Sequence, residues 1–261
     1  MAKPKVKVER IDLTLEDSAR SREIFTVVSY PTRNGKVTKK PLPLVVFATG
    51  FGGDATNYAP LYDFWVRAGY VVASPTFPDD KSRALDIKFV RDEVLRIARE
   101  PGGHAGAAGP GQPFPKINEE RVALAGKSLG AIATFDAAFN PQFHDDVFDA
   151  VIAMTGAAAT ADRLEDYPTP LLLIHGDADE LLSIAGSADA YARASGPKFF
   201  VTIIGGSHGS AFGGGDSPSE EVVEQVTVDF LDRYLKGKKS ALRRLEQHGA
   251  VDDVASLEAS P

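Results

Sequence analysis

The sequence predicts an α/β protein with a mostly parallel, doubly wound sheet and helices on both faces. Short apolar segments alternate along the chain with longer segments whose apolar residues recur at helical spacing. This alternation is typical of βαβ units, in which parallel strands are buried on both faces. The 261 residues show no repeat or linker, so we expect one domain, with a core at about residues 23–236 and a C-terminal helix and tail at 237–261.

In the N-terminal half of the chain, the first predicted strand covers residues 23–30. This segment is rich in β-branched and aromatic residues and is followed by an Asn34-Gly35 turn signal. Residues 42–49 are nearly all apolar, as in a central strand. A helical pattern at 57–68 then leads into an apolar strand at 70–74, which completes a βαβ unit.

A second helix is predicted at residues 82–100 and is followed by a segment rich in Gly and Pro at 101–115. For that segment a flexible surface connection is favoured over a lid. Beyond it we predict strands at 122–125, 148–154, 170–175 and 198–204, helices at 131–139, 184–194, 218–236 and 240–248, and a polar end at 252–261.

Composition excludes several classes of function. The formal net charge is −7, so the chain lacks the basic excess that contacts with nucleic-acid phosphates require. The absence of cysteine excludes disulfides, thiolate metal sites and a cysteine nucleophile. No apolar run reaches the roughly 18 residues of a membrane span and no signal peptide opens the chain. We therefore expect a soluble protein without a membrane partner, cytoplasmic as written and secreted if a leader was removed; the oligomeric state stays open.

The candidate chemistry starts at Gly126-Lys-Ser-Leu-Gly130, between a predicted strand and a predicted helix. In this context a G-x-S-x-G motif places the serine at the tip of a tight turn, above the sheet and at a helix N-terminus. A serine hydroxyl is a weak nucleophile, and it needs a histidine base that is oriented by a carboxylate. Ser128 is therefore the predicted nucleophile.

Five histidines are available as the base: His104, His144, His175, His208 and His248. His208 lies in a glycine-rich loop, Gly205 to Gly209, directly after a predicted strand, and it is the best candidate. His175 ends a buried strand and is interpreted as a core histidine. The other three lie in positions that we expect to face solvent.

The acid is expected in the segment His175-Gly-Asp-Ala-Asp-Glu180, which leaves the sheet at the edge where Ser128 lies. Asp177 and Asp179 compete for this role, with Glu180 a distant third. The order Ser, Asp, His along the chain is that of α/β-hydrolases. The alternative role for Asp177 is a turn-forming aspartate that binds local backbone N–H groups.

An oxyanion hole requires two fixed N–H donors. Leu129, the residue after the nucleophile, supplies one, and Phe51 in the loop Gly50-Phe-Gly-Gly53 is placed to supply the other. That loop departs from G-x-G-x-x-G, so a nucleotide site is disfavoured. Gly52 and Lys127 are predicted to contact substrate, Lys127 as an electrostatic element, with a packed or solvent-facing side chain as the alternative.

Residues 43–236 resemble bacterial α/β-hydrolases of the group that includes dienelactone hydrolases, chlorophyllase-like and platelet-activating-factor acetylhydrolase-like esterases, and cutinases. The matching pieces are the Gly-Phe-Gly-Gly loop at Gly50, Ala-Gly-Tyr-Val-Val-Ala at Ala68, Ala-Gly-x-Ser-Leu-Gly at Ala125, His-Gly-Asp-Ala-Asp at His175 and Gly-x-His-Gly at Gly206. The resemblance implies the α/β-hydrolase fold, with Ser128 as nucleophile, Asp179 as acid, His208 as base, and Phe51 with Leu129 as oxyanion donors. Lys127 stands where such enzymes often have histidine, and dienelactone hydrolases use a cysteine nucleophile that this chain lacks.

The sequence therefore predicts a serine carboxylic ester hydrolase that needs neither metal nor cofactor and forms an acyl-enzyme on Ser128. Small or medium acyl esters are the expected substrates, with polyesters as a further option. The alternatives are an acyltransferase or amide hydrolase with the same triad, since the triad does not determine which group resolves the acyl-enzyme. A non-catalytic ligand-binding protein of the same fold is a further alternative.

Overall fold

The structure is a computed structural model that describes residues 6–100, 114–144, 146–213 and 216–261. Its strands are β1 Val6–Asp17, β2 Arg22–Arg33, β3 Lys36–Val37, β4 Leu42–Ala48, β5 Val71–Thr76, β6 Ile117–Lys127, β7 Ala150–Met154, β8 Leu171–Gly176, β9 Lys198–Ile203 and β10 Ala255–Ser260. Its helices are α1 Ala59–Ala68, α2 Arg83–Arg99, α3 Leu129–Phe139, α4 Ala185–Arg193, α5 Pro218–Tyr234 and α6 Ser240–Gly249.

All ten strands belong to one sheet, in the order β1-β2-β5-β4-β6-β7-β8-β9-β10, with β3 paired to β2. The strands from β5 to β9 in this order pair in parallel. The edge strands pair antiparallel, as does β2 with β5. The sheet is therefore mixed, with a parallel centre, and the predicted α/β class is confirmed.

Helices cover both faces of this sheet because successive residues of a strand point to opposite sides. On β4, Val45 and Phe47 pack in a cluster with residues of α1, α5 and α6. Leu44 and Val46 pack in a second cluster with residues of α2 and α3. A third cluster joins α3 and α4 to β7 and β8. Each central strand is consequently buried on both sides, which explains its continuous apolar run.

The sheet extends beyond the segments that the sequence indicates, at both ends of the chain. β1 pairs with the whole of β2, and β10, in the segment expected to be a polar end, pairs with β9. Along β1, buried residues such as Leu13 and Leu15 alternate with exposed polar ones. An edge strand of this kind buries one face only, so it lacks the apolar run by which the central strands were recognised. The region 237–261, predicted as a C-terminal helix and tail, thus contains the expected helix and also contributes an edge strand to the sheet.

The loop expected at residues 101–115 lies outside the described residues as far as residue 113. None of the helices that the structure describes is both long enough and apolar enough to cross a bilayer.

Candidate active site

Ser128 is the single residue between β6 and α3, and the chain turns sharply there. Its backbone has φ 59° and ψ −123°, a region that a residue with a side chain rarely occupies. The turn is so tight that a Cβ on Gly126 would collide with the Gly130 carbonyl, and the start of α3 lies so close to β4 that a Cβ on Gly130 would collide with the Ala48 backbone. The Ser128 N–H donates to the Met154 carbonyl at 2.9 Å, which ties the turn to the end of β7. The strain is thus held by the neighbouring strands, and the side chain stays partly exposed.

His208 lies between Ser128 and Asp179. Its Nε2 is 2.9 Å from the Ser128 Oγ, and its Nδ1 is 2.8 Å from the Asp179 Oδ2. A carboxylate oxygen only accepts, so Nδ1 carries the hydrogen, and in the neutral ring Nε2 is left to accept the serine proton. The structure therefore brings together the three residues that the sequence indicates, in the protonation pattern that a general base requires.

The Asp179 side chain is completely buried beneath His208. Its Oδ1 accepts hydrogen bonds from the backbone N–H groups of Leu181 and Leu182, both at 2.9 Å. Burial alone would raise the pKa of this carboxyl group, but the hydrogen bonds from Leu182, His208 and Leu181 outweigh it and lower the pKa below its ordinary value. Asp179 is consequently ionised at neutral pH and holds the imidazole by charge as well as by geometry.

The loop that carries Asp179 and the loop that carries His208 are joined along their length. The Ala178 N–H donates to the Gly206 carbonyl at 3.0 Å, and Glu180 Oε2 accepts the backbone N–H of His208 at 3.2 Å. A Cβ on Gly176 would collide with the Gly206 carbonyl, so the backbones meet without room for a side chain. The distance between acid and base is therefore set by backbone contacts as well as by the triad itself.

Asp177, the competing acid, has no contact with His208 among the described residues. Its Oδ1 accepts the Gly205 N–H at 2.6 Å, which adds a further bond between the two loops. As the alternative role predicted, Asp177 lies in a turn, which the Asp179 N–H closes on the Gly176 carbonyl at 3.3 Å, and its side chain binds a backbone N–H. The expectation that this N–H is local was wrong, since it lies 28 residues away. The local bonds of this kind are formed by Asp179, whose Oδ1 binds the N–H groups two and three residues ahead.

His175 is buried directly behind Asp179. Its Nε2 lies 2.9 Å from the Leu182 carbonyl and 3.0 Å from the Asp179 Oδ2. Both neighbours are acceptors, so Nε2 carries a hydrogen. Its Nδ1 is 2.7 Å from the Ser187 Oγ, which in turn is 2.9 Å from the Gly156 carbonyl. His175 is thus a core histidine, as interpreted from the sequence, and its contact with the acid is a feature that the sequence analysis missed.

Phe51 and Leu129 contribute two backbone N–H groups near Ser128. Within the described residues, neither N–H donates a hydrogen bond to another protein group. The Leu129 N–H belongs to the first residue of α3, where the helix leaves its donors free. A Cβ on Gly50, the residue before Phe51, would lie 3.4 Å from the Ser128 Cβ, so this loop passes directly against the serine. Two free donors therefore flank the nucleophile.

Two small, open cavities lie along the segments that carry Phe51 and Leu129. A cavity of about 270 Å³ is lined by Phe51, Gly52, Phe77 and Arg83, among others. A second, of about 100 Å³, is lined by Leu129 and by residues of α2 and α3. The Phe51 side chain is 80% exposed at the mouth of the site. Each of the two cavities is lined by one of the residues that flank Ser128 with a free N–H, Phe51 or Leu129.

Lys127 and Gly52, predicted to bind substrate, differ in their surroundings. Gly52 is exposed on the loop that follows β4. Lys127 is only 6% exposed, and its ammonium group lies 5.8 Å from the centre of the Phe212 ring. Burial lowers the pKa of Lys127, although Asp179 and Glu180 oppose this effect. The packed side chain that the sequence analysis kept as an alternative matches this geometry, and a contact with substrate stays a prediction.

The remaining histidines have partners away from Ser128. His144 stacks on Tyr167, with 3.7 Å between ring centres, and His248 is paired with Asp229 at 2.7 Å. Neither is the free solvent position that we expected. His104 lies outside the described residues. In the part of the chain that the structure describes, no group of three or more His, Asp or Glu side chains could hold a metal ion.

Comparison of the chain with protein-family models gives no match, and comparison with curated proteins gives none either. The inference of function consequently rests on the geometry of this site.

Proposed function

We propose that the chain is a serine carboxylic ester hydrolase of the α/β-hydrolase fold, which acts through an acyl-enzyme on Ser128. The observation that carries the proposal is the unbroken series of contacts from the Ser128 hydroxyl through His208 to the buried Asp179. Two free N–H groups next to the serine complete the set of groups that acyl transfer requires.

In the acylation step, the Ser128 Oγ attacks the ester carbonyl carbon while His208 Nε2 takes its proton. The carbonyl oxygen becomes negative, and the N–H groups of Phe51 and Leu129 donate to it. Asp179 stabilises the imidazolium that forms and remains ionised throughout. The Nε2 proton then passes to the alkoxide oxygen as the bond from the carbonyl carbon to that oxygen breaks, and the alcohol leaves.

In the deacylation step, water takes the place of the alcohol. His208 Nε2 accepts a proton from the water as its oxygen attacks the acyl carbon, and the same two N–H groups stabilise the second tetrahedral intermediate. Collapse of this intermediate returns the proton from Nε2 to the Ser128 Oγ and releases the carboxylic acid. No step requires a metal ion or an organic cofactor.

The topology of the sheet supports the assignment to this fold. Ser128, Asp179 and His208 follow β6, β8 and β9, which belong to the parallel centre of the sheet. The C-terminal ends of parallel strands lie at the same edge of the sheet, and the catalytic groups of open α/β sheets are found at that edge. The strained turn at Ser128, between strand and helix, is the feature expected of the nucleophile in α/β-hydrolases.

The proposed substrates are esters with small or medium acyl groups. The cavities lined by Leu129 and by Phe51 have volumes of about 100 and 270 Å³, below the roughly 300–1,000 Å³ that is usual for the sites of drug-sized ligands. The exposed Phe51 ring gives the acyl group an apolar contact at the mouth of the site. An extended polyester is accommodated only if its chain continues outward across that exposed surface.

A fluorophosphonate probe and a panel of chromogenic esters of increasing acyl length test the proposal. We expect covalent labelling at Ser128, hydrolysis that is fastest for short chains, and a loss of about 10³-fold or more in kcat for Ser128→Ala. Ser21→Ala is a matched control, because Ser21 also has a positive φ but lies in the β1–β2 turn. The proposal is rejected if Ser128→Ala keeps more than about a tenth of the wild-type kcat.

The same experiment separates the alternatives. Release of the chromogenic alcohol only when an acceptor alcohol or amine is present, with the acyl group found on that acceptor, would indicate an acyltransferase. Faster turnover of anilides than of the matching esters would indicate an amide hydrolase. Failure of both labelling and turnover in folded protein would favour a non-catalytic ligand-binding role.

A further inference from the structure

Arg83 is the first residue of α2, yet its side chain points inward instead of into solvent. The residue is 5% exposed, and its guanidinium carbon lies 4.6 Å from the centre of the Phe77 ring. Nη1 donates to the Thr49 carbonyl at 2.6 Å, and Nη2 donates to the Gly50 carbonyl at 3.3 Å. Asp80 Oδ1 accepts from Nε at 3.1 Å and from Nη2 at 2.6 Å, which fixes the orientation of the guanidinium.

These contacts bear on the oxyanion hole because the Gly50 carbonyl and the Phe51 N–H belong to the same peptide unit. The unit is planar and trans, so its oxygen and its hydrogen point in opposite directions. A bond that fixes the direction of the Gly50 oxygen therefore also fixes the direction of the Phe51 N–H. The Gly53 N–H donates to the same oxygen at 3.2 Å and closes the loop into a turn.

The charge of the guanidinium adds a second effect. A hydrogen bond from a cation to the carbonyl oxygen polarises the amide and makes its N–H a stronger donor, and the effect is larger at a buried site. Arg83 lies on the carbonyl side of the peptide and the oxyanion would form on the N–H side, so its charge acts on the oxyanion through the polarised amide.

We propose that Arg83 is the positioning residue of the oxyanion hole, which holds and polarises the Gly50–Phe51 peptide so that Phe51 donates to the tetrahedral intermediate. The inference rests on the proposed ester hydrolysis and extends it to a residue 45 positions before the nucleophile in the sequence. Arg83 is proposed to act through the Gly50–Phe51 peptide and not on the reacting atoms directly, so its contribution is expected in kcat more than in substrate binding.

Arg91 provides a matched control on the same helix. It is 6% exposed, its guanidinium lies 5.4 Å from the centre of the Phe148 ring, and it pairs with Asp92 at 2.7 Å. Burial, aromatic contact and a neighbouring carboxylate are therefore alike for the two arginines. Arg83 differs in its bonds to the Thr49 and Gly50 carbonyls beside the serine.

The experiment compares Arg83→Met, Arg83→Lys and Arg91→Met in the full chain, with a short-chain chromogenic ester as substrate. Removing a whole oxyanion donor costs about 10²–10³ in kcat, so a donor that is still present but no longer held should cost about 10- to 100-fold. We expect that loss for Arg83→Met, with KM within about threefold of wild type, and an intermediate loss for Arg83→Lys. Arg91→Met should stay within about twofold in kcat, even if it lowers Tm.

Inhibition by phenylboronic acid, which forms a tetrahedral adduct on the serine, gives a readout that loss of stability alone does not move. Its inhibition constant should rise with Arg83→Met by about the factor that kcat falls, since the adduct places an anionic oxygen where the intermediate does. Equal kcat for Arg83→Met and Arg91→Met, or a rise in KM with kcat unchanged, would overturn the inference.

If Arg83→Met does not fold, Asp80→Asn decides the question. The Asp80 side chain is 41% exposed, so its replacement leaves the core intact but frees the guanidinium. We then expect a smaller fall in kcat than for Arg83→Lys, again without a matching rise in KM, and unchanged kinetics in both variants would reject the role of Arg83. A wild-type protein that neither hydrolyses esters nor binds the boronate would instead reject the proposed function.

Discussion

His208 lies against Asp179 and His248 lies against Asp229, and the two histidine–carboxylate pairs have nearly the same length, 2.8 and 2.7 Å. Their surroundings differ. Asp179 receives two backbone N–H groups on its other oxygen, whereas the other oxygen of Asp229 receives the Arg244 side chain at 2.6 Å. His208 has a serine hydroxyl on its second nitrogen, and His248 has no such partner among the described residues.

This contrast indicates what the proposed active site has in addition to a histidine–carboxylate pair. An arginine neutralises Asp229, so less negative charge is available to support an imidazolium on His248. Among the described residues, no Lys or Arg side chain forms a hydrogen bond with Asp179, whose side-chain partners are His208 and His175. Asp179 also lies at the edge where the strands of the parallel centre end. The Asp229–His248 pair joins helices α5 and α6. The Asp179–His208 pair lies on the loops that follow β8 and β9, and its histidine contacts Ser128 in the strained turn.

The largest difference between the pairs is expected in activity. Asp179→Asn should lower kcat by about 10³-fold, since the imidazole loses both its orientation and its counter-charge. Asp229→Asn should leave kcat within about twofold but lower the free energy of unfolding by about 1–3 kcal/mol, because it breaks the bonds to Arg244 and His248. Steady-state kinetics and urea unfolding of both variants measure the two effects.

Asp177→Asn is the control for loop structure, as Asp177 joins the same two loops through Gly205 but does not touch His208. It should keep most of the activity. An inactive Asp177→Asn together with an active Asp179→Asn would exchange the roles of the two aspartates.

A smaller effect is expected from His175, which supports Asp179 from behind. His175→Phe removes the contacts with the Leu182 carbonyl and with Asp179 Oδ2, so we expect kcat to fall by about tenfold and stability to fall by about 1–3 kcal/mol. His175→Gln keeps an N–H donor and should recover part of kcat. Kinetics that are equal in both variants and in wild type would show that His175 only fills the core.

The smallest effect is expected in how the free energy of unfolding depends on pH in the acidic range. The pKa of Asp179 is lower in the folded protein than its ordinary value of 3.8, despite burial, because of its hydrogen bonds. Its carboxylate therefore contributes stability that is complete above about pH 4 and is lost as pH falls below 3.8 through the folded pKa. The difference in unfolding free energy between wild type and Asp179→Asn should shrink over that range. A difference that stays constant from pH 6 to pH 3 would contradict this account.

The sequence by itself determined the centre of the sheet and the candidate triad. Strands buried on both faces are continuous apolar runs, so β4, β5, β7, β8, β9 and the second half of β6 were recognisable without a partner in view. Ser128, Asp179 and His208 each follow such a strand closely, and parallel strands bring those ends to one edge. The apolar runs of the strands and the order of Ser128, Asp179 and His208 along the chain were therefore sufficient to predict the centre of the sheet and the candidate triad.

Only the tertiary structure decided the edges of the sheet and the groups that support the site. β1 and β10 are polar on one face and are defined by the strands they pair with. The roles of Asp177 and Arg83 depend on partners 28 and 34 residues away, and no local spacing encodes such contacts. Hydrogen bonds of this kind arise from how loops approach one another across the folded sheet, and they become visible only when the backbone path is known.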